Sequence, residues 1–213
     1  SYGRKLNENL SVGGTAKIIN RKAGDFANAW GFGFDFGAKY QLDSWKFAIM
    51  GKDITSTFNV WNYHLDDEMI NTFVLTGNEL PQNGVELTLP RIILGASKLV
   101  TFPKNISLLT ELNIDLTTDG HRNVLISADP ISVDPHNGLE LNIKDLIFLR
   151  SGIGNIQTYT DNTNKSVYTI QPNIGLGLKI KGVTIEYALT DIGDASVALY
   201  SNIFSLKFDL NPD

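Results

Sequence analysis

The chain has 213 residues, a net charge of −5, 42% hydrophobic and 19% charged residues, and no cysteine. That length suits one large all-β domain or one barrel, and the lack of cysteine excludes a disulfide framework or thiolate metal site. No apolar run reaches the roughly 18 to 20 residues of a membrane helix, and no Lys/Arg cluster is present to track the phosphates of a nucleic acid.

Mean hydropathy is −0.06, ordinary for a soluble protein. It is equally ordinary for a membrane β-barrel, whose strands carry apolar residues only at every second position. The first such alternation sets Leu10, Val12, Ala16 and Ile18 against Ser11, Gly13, Thr15 and Lys17. The strongest follows from Trp30 to Gln41. Trp30, Phe32, Phe34, Phe36, Ala38 and Tyr40 alternate with Gly31, Gly33, Asp35, Gly37, Lys39 and Gln41. Successive side chains of a strand point to opposite faces, so one face is almost wholly aromatic. The segment is long enough for the roughly 9 to 11 residues that cross a bilayer at a tilt. Trp30 and Tyr40 bracket its stripe where interfacial aromatics belong.

Further strands are expected at Trp45–Ile49, Leu89–Lys98, Ser107–Leu116, Leu139–Ile143, Ile147–Ile153, Tyr168–Ile180, Val183–Thr190 and Phe204–Leu210, giving ten in all. Tight turns are expected at Asp43-Ser44, Lys144-Asp145 and Lys181-Gly182, with a modest one at Phe102–Asn105. Long polar loops are expected at 20–29, 53–88, 117–136, 157–166 and 191–198, in strict alternation with the short turns. Outer-membrane barrels have short periplasmic turns and longer outside loops. The expected fold is therefore a single antiparallel transmembrane β-barrel domain over 1–213, with Tyr2 and the C-terminus periplasmic and the long loops extracellular. A soluble β-sandwich would alternate too. Its polar face would meet bulk water and need no glycine, whereas a crowded interior favours small residues and paired charges.

Catalytic and metal chemistry is not expected. His64, His121 and His136 are assigned to separate loops, without a second ligand at metal spacing. Asp66-Asp67-Glu68 reads as a solvated acidic run, and Asp129-Pro130 and Asp134-Pro135-His136 read as turns. The Gly-x-Gly pairs at Gly31, Gly152 and Gly175 fall inside strands, with no helix following to hold a phosphate. No cofactor is expected. Asp35, Lys39, Lys46, Glu111, Asp115, Glu140, Arg150, Lys179 and Glu186 are expected to form a charge network on the interior face. The loop 53–88, with Phe58, Trp61, Tyr63, Phe73 and Leu75, is the candidate protein-binding surface, since loops on a rigid scaffold carry binding function. The competing reading of those aromatics is an inward-folded plug.

Several phrases resemble the PorV/PorQ family of the Bacteroidota type IX secretion system, whose barrel is similar to that of the fatty acid transporter FadL. They are Ser1–Leu6 with Leu10–Lys17, Phe34–Tyr40, Leu89-Pro90-Arg91 with Leu94–Ser97, Gly138–Glu140, Leu149–Gly152, Gly175–Lys179, Ile185–Leu189 and Phe204–Leu206, in the family's order. The Gly/Ala-rich opening of the family is not found before Ser1. The resemblance implies the C-terminal two-thirds of a larger barrel of about fourteen strands, with N-terminal strands lacking here. It implies an accessory or cargo-handling role in type IX secretion. The implied partners are outer-membrane lipid, a large translocon barrel, and the C-terminal domains of secreted cargo. The alternative, by architecture alone, is a transporter of hydrophobic small molecules, which calls for an apolar pocket on the interior face.

Overall fold

In a computed structural model, described here for residues 1–160, 164–192 and 200–209, the chain forms one antiparallel sheet of thirteen strands and a single short helix. The strands are β1 (Tyr2–Lys5), β2 (Leu10–Ala23), β3 (Ala27–Leu42), β4 (Trp45–Lys52), β5 (Thr57–Tyr63), β6 (Gly84–Thr88), β7 (Arg91–Phe102), β8 (Ile106–Thr117), β9 (Ser132–Ile143), β10 (Ile147–Thr160), β11 (Ser166–Ile180), β12 (Val183–Thr190) and β13 (Ser201–Phe208). Helix α1 (Asp67–Leu75) lies between β5 and β6. All ten expected strands are present, with Leu210 at the end of the last one lying outside the described residues; β1, β5 and β6 are additional. The strands pair along the path β1-β2-β3-β4-β7-β8-β9-β10-β11-β12-β13, sequence neighbours throughout except where β4 meets β7; β5 pairs with β3 and β6 off this path. The edges β1 and β13 are not hydrogen-bonded to each other among the described residues. Among those residues, no helix is long and apolar enough to cross a membrane.

The segment 53–88, expected as a loop, is largely regular structure. β5 continues the line of β4 along β3, and β6 runs into β7. Phe36 pairs with Gly51 and Phe32 with Phe58, so six residues of the β4–β5 chain face three of β3. The excess forms a bulge at Asp53–Ser56, where Asp53 and Ser56 take left-handed φ of 54° and 56°. Ile54 N–H donates to the Phe34 carbonyl at 3.0 Å, which keeps the ladder connected across the break. The β-branched and aromatic run Thr57-Phe58-Asn59-Val60-Trp61-Asn62-Tyr63 suits a pleated surface, so the strand resumes beyond the bulge.

The other loops are shorter than expected. β2 and β3 run to Ala23 and from Ala27, leaving three connecting residues instead of a loop over 20–29. A short connection therefore stands where the strict alternation required a long one. The 117–136 loop narrows to 118–131, because β9 begins at Ser132. The 157–166 loop narrows to 161–165, part of it outside the described residues, as is most of 191–198. The expected tight turns fall between β3 and β4, β7 and β8, β9 and β10, and β11 and β12. These, with Leu6–Asn9, mark one end of the sheet, here the turn end; the opposite end is the loop end.

Register divides the residues of the sheet into two faces, because directly paired residues share a face. One face carries Val12, Ala16, Ile18, Trp30, Phe32, Phe34, Phe36, Ile49, Ile92, Leu94, Leu112, Leu139, Leu149, Leu176, Ile185 and Phe204. Its large side chains are exposed, Phe36 at 53% and Leu176 at 51%. The other face is polar or small and is the more covered one: Gly31 and Gly33 are buried and Asp35 is 8% exposed. Among the described residues only Ala27 and Ala29 are buried hydrophobics, whereas Asp35, Thr57, Asn59, Thr117, Ser132 and Thr169 are buried polar groups. Polarity is thus inverted relative to a water-soluble core. The chain exposes 14883 Å², against about 9,800 Å² for a soluble globular protein of its mass.

Candidate functional site

The polar face carries all nine residues of the expected charge network. Asp35 and Lys39 stand on β3, Lys46 on β4, Glu111 and Asp115 on β8, Glu140 on β9, Arg150 on β10, Lys179 on β11 and Glu186 on β12. The pairings Lys39↔Ala48, Lys46↔Ser97, Ser97↔Glu111, Glu140↔Arg150, Arg150↔Gly175 and Gly177↔Glu186 set them on one side. They form separate clusters, however, and not one network.

The first cluster lies under the bulge. Lys17 Nζ donates to Asp35 Oδ1 at 2.7 Å and also pairs with Asp53. Asp35 Oδ1 accepts the Asp53 backbone N–H at 2.9 Å, and the Thr57 hydroxyl donates to Asp53. Asp35 thereby takes up a backbone donor that the bulge removes from the ladder. Gly31 and Gly33 are required here, since a Cβ at Gly31 would collide with Asn59 Oδ1 and the Phe58 carbonyl. One at Gly33 would strike the Thr57 hydroxyl. Asn59 is fully buried, with neither side-chain polar atom hydrogen-bonded.

In the second cluster Arg150 bridges two carboxylates, with Nε to Glu140 at 2.6 Å and Nη1 to Glu186 at 2.7 Å. Gly175 and Gly177 on β11 leave room for the guanidinium to cross to β12. In the third, Asp115 and Asp134 are direct cross-strand partners, a repulsive arrangement when unscreened. Arg91 approaches Asp115 at 3.2 Å, which offsets the repulsion, and His136 Nε2 lies 3.5 Å from Asp134. His136 therefore lies on β9 and not in a loop, and Asp134-Pro135-His136 is strand rather than turn. Lys179 pairs with Asp209 at 3.3 Å. Glu111 accepts from Asn113 at 2.6 Å. Lys39 and Lys46 make no ion pair among the described residues. Sequence reasoning missed Lys17, Asp53, Arg91 and Asp134; of these, Lys17 and Arg91 already alternated with apolar neighbours.

The candidate binding segment separates into three parts. Phe58 shares the apolar face with Phe32, the ring centroids 5.9 Å apart. Trp61 and Tyr63 stack at 6.1 Å on the polar face, where Trp61 Nε1–H donates to Glu86 at 2.9 Å. Arg21 reaches the same carboxylate from β2 at 3.1 Å. Phe73 and Leu75 belong to α1, where Val74 and Leu75 are 66% and 86% exposed. Asp66 caps that helix, accepting the Met69 N–H at 2.8 Å, and Asp67 and Glu68 fill its first turn. The acidic run is thus a helix start, favoured by the dipole. In the loop 118–131, Arg122 bonds to Asp119 and holds that carboxyl below its ordinary range.

Among the described residues no group of three metal-ligating side chains converges. A groove of about 1090 Å³ lies between Tyr2, Val12, Phe34, Phe36, Ile54 and Ile92, mostly on the apolar face. No known protein family, curated protein or solved structure matches the chain.

Proposed function

We propose that this sheet is the wall of an outer-membrane β-barrel, with its apolar face toward lipid. The observation that carries the reading is the inverted polarity. Aromatic and aliphatic side chains cover the exposed face, while ion pairs and small residues cover the other. A bilayer stabilises that arrangement and water penalises it. Trp30 and Trp45 stand on the apolar face near its two ends, at the level of an interfacial girdle.

Within that reading, the chain acts as a non-enzymatic accessory or cargo-handling component of type IX secretion, recognising protein partners at the loop end. The resemblance to the PorV/PorQ family supports the pathway. The hairpin β5–α1–β6 supports the mode, since it carries exposed Val74 and Leu75 on a helix held by two paired strands. Replacing residues 64–83 by a two-residue turn should leave the sheet folded and abolish capture of cargo C-terminal domains. Unchanged capture by a folded variant would end this reading. The transporter of hydrophobic molecules is the second reading. The apolar groove favours it, but that groove lies mostly on the face here assigned to lipid.

A further inference from the structure

We infer that the turn end of the sheet is a cationic rim that selects anionic phospholipid headgroups, with Lys104, Lys144 and Lys181 as its contacts to phosphate. The inference rests on the membrane reading proposed above and names the class of lipid that the turn end meets.

The backbone of the turns supplies the first observation. In three successive hairpins a lysine is the first of two consecutive left-handed residues. These are Lys104-Asn105 at φ 67° and 57°, Lys144-Asp145 at 57° and 52°, and Lys181-Gly182 at 46° and 80°. Glycine, asparagine and aspartate suit that region, and one of them fills the second position each time. A lysine is crowded there and has no short polar side chain to hydrogen-bond locally in return. The fourth tight turn shows the ordinary choice, with Asp43 at φ 50°. Conformational preference argues against lysine at these positions, so its recurrence calls for a use of the charge. All three lysines are exposed, and none pairs with a carboxylate among the described residues. Asp145, the one carboxylate in these three turns, accepts instead from Asn142 Nδ2 at 2.6 Å.

The apolar face supplies the second observation. Among the described residues no strand sets a carboxylate on it, yet Lys98 stands there as the cross-strand partner of Trp45. Its Nζ lies 4.9 Å from the centre of the Trp45 ring, which directly follows the Asp43-Ser44 turn. A lysine on a lipid-facing strand extends its ammonium toward the headgroup level in this way. Lys98 thereby brings a fourth cation to the rim.

The spacing fits a lipid surface and not a single bound anion. Successive hairpin turns are two strands apart, about 10 Å across the sheet, so each lysine addresses its own phosphate. The loop end has the opposite character: residues 64–83 hold Asp66, Asp67, Glu68 and Glu79 with no lysine or arginine.

The test places the protein in nanodiscs of equal parts phosphatidylcholine and phosphatidylglycerol and counts the lipids it retains on release by native mass spectrometry. Phosphatidylglycerol should be enriched about five-fold, the equivalent of ~1 kcal/mol for a lysine near an anionic surface. The enrichment should fall as salt rises. The variant Lys104→Asn/Lys144→Asn/Lys181→Asn puts a residue suited to left-handed φ in each turn. It should resist urea at least as well as the parent and lose most of the enrichment. No enrichment in the parent, or undiminished enrichment in the variant, would overturn the inference while leaving the membrane reading standing. Protein that stays outside the discs in the aqueous phase would remove the membrane reading and the inference together.

Discussion

The two faces of the sheet are built by the same strands yet obey opposite rules. On the apolar face, contacts are local and repetitive: Phe32 meets Phe58, Trp45 stacks on Phe47 at 5.9 Å, and Tyr187 meets Phe204 at 4.9 Å. Any aliphatic or aromatic residue serves there, because the surroundings select only for low polarity. On the polar face, contacts are specific and span several strands. Arg150 joins β9 to β12, and Lys17 joins β2 to the bulge after β4. Gly33 leaves room for Lys17 beside Thr57, and Gly175 and Gly177 leave room for Arg150. The apolar face is thus built by composition, and the polar face by geometry.

The largest expected effect breaks that contrast by putting a charge on the wrong side. Leu94→Arg, on the apolar face, should cost about 2–4 kcal/mol of stability in a bilayer if it lies near the midplane. Ser97→Arg, on the polar face opposite Glu111, should cost about 1 kcal/mol or less. Urea unfolding in lipid vesicles compares the two, and equal costs would contradict the assignment of faces. Next is Gly31→Ala. Its Cβ has no room beside Asn59, so it should cost about 1–3 kcal/mol by overpacking and speed hydrogen exchange in β5.

Arg150→Met leaves Glu140 and Glu186 without their cation. Because all three side chains are about one-third exposed, solvent screening reduces the expected loss to about 1–2 kcal/mol. The loss should shrink in the Glu140→Gln background, a coupling that a double-mutant cycle reads directly. The smallest and most local effect belongs to Asp66→Ala. Removing the cap should destabilise α1 by about 0.5–2 kcal/mol. Exchange in 67–75 should rise while β5 and β6 stay protected.

The apolar face was largely legible in the sequence, because a period of two survives without knowledge of neighbours. Trp30–Tyr40 declares both its face and its length. The polar face was legible in its membership but not in its pairings. Arg150 and Glu186 are 36 residues apart, and only register brings them together. The bulge hid β5: a loop was expected after Asp53, although Phe58 and Val60 alternate with Asn59 and Trp61. β6, at five residues, and β1, at four, are too short for periodicity to carry. His136 was assigned to a loop because Pro135 interrupts its segment, yet that proline faces the apolar side of β9 opposite Ile114.

The most direct test of the central claim uses the three tryptophans. Trp30 and Trp45 are on the apolar face and Trp61 is on the polar face, bonded to Glu86. Single-tryptophan variants would be reconstituted in vesicles containing lipids with brominated acyl chains. Strong quenching of Trp30 and Trp45, with Trp61 unaffected, is the result this account predicts. Quenching of Trp61 with Trp30 and Trp45 spared, or no quenching at any of the three, would contradict it.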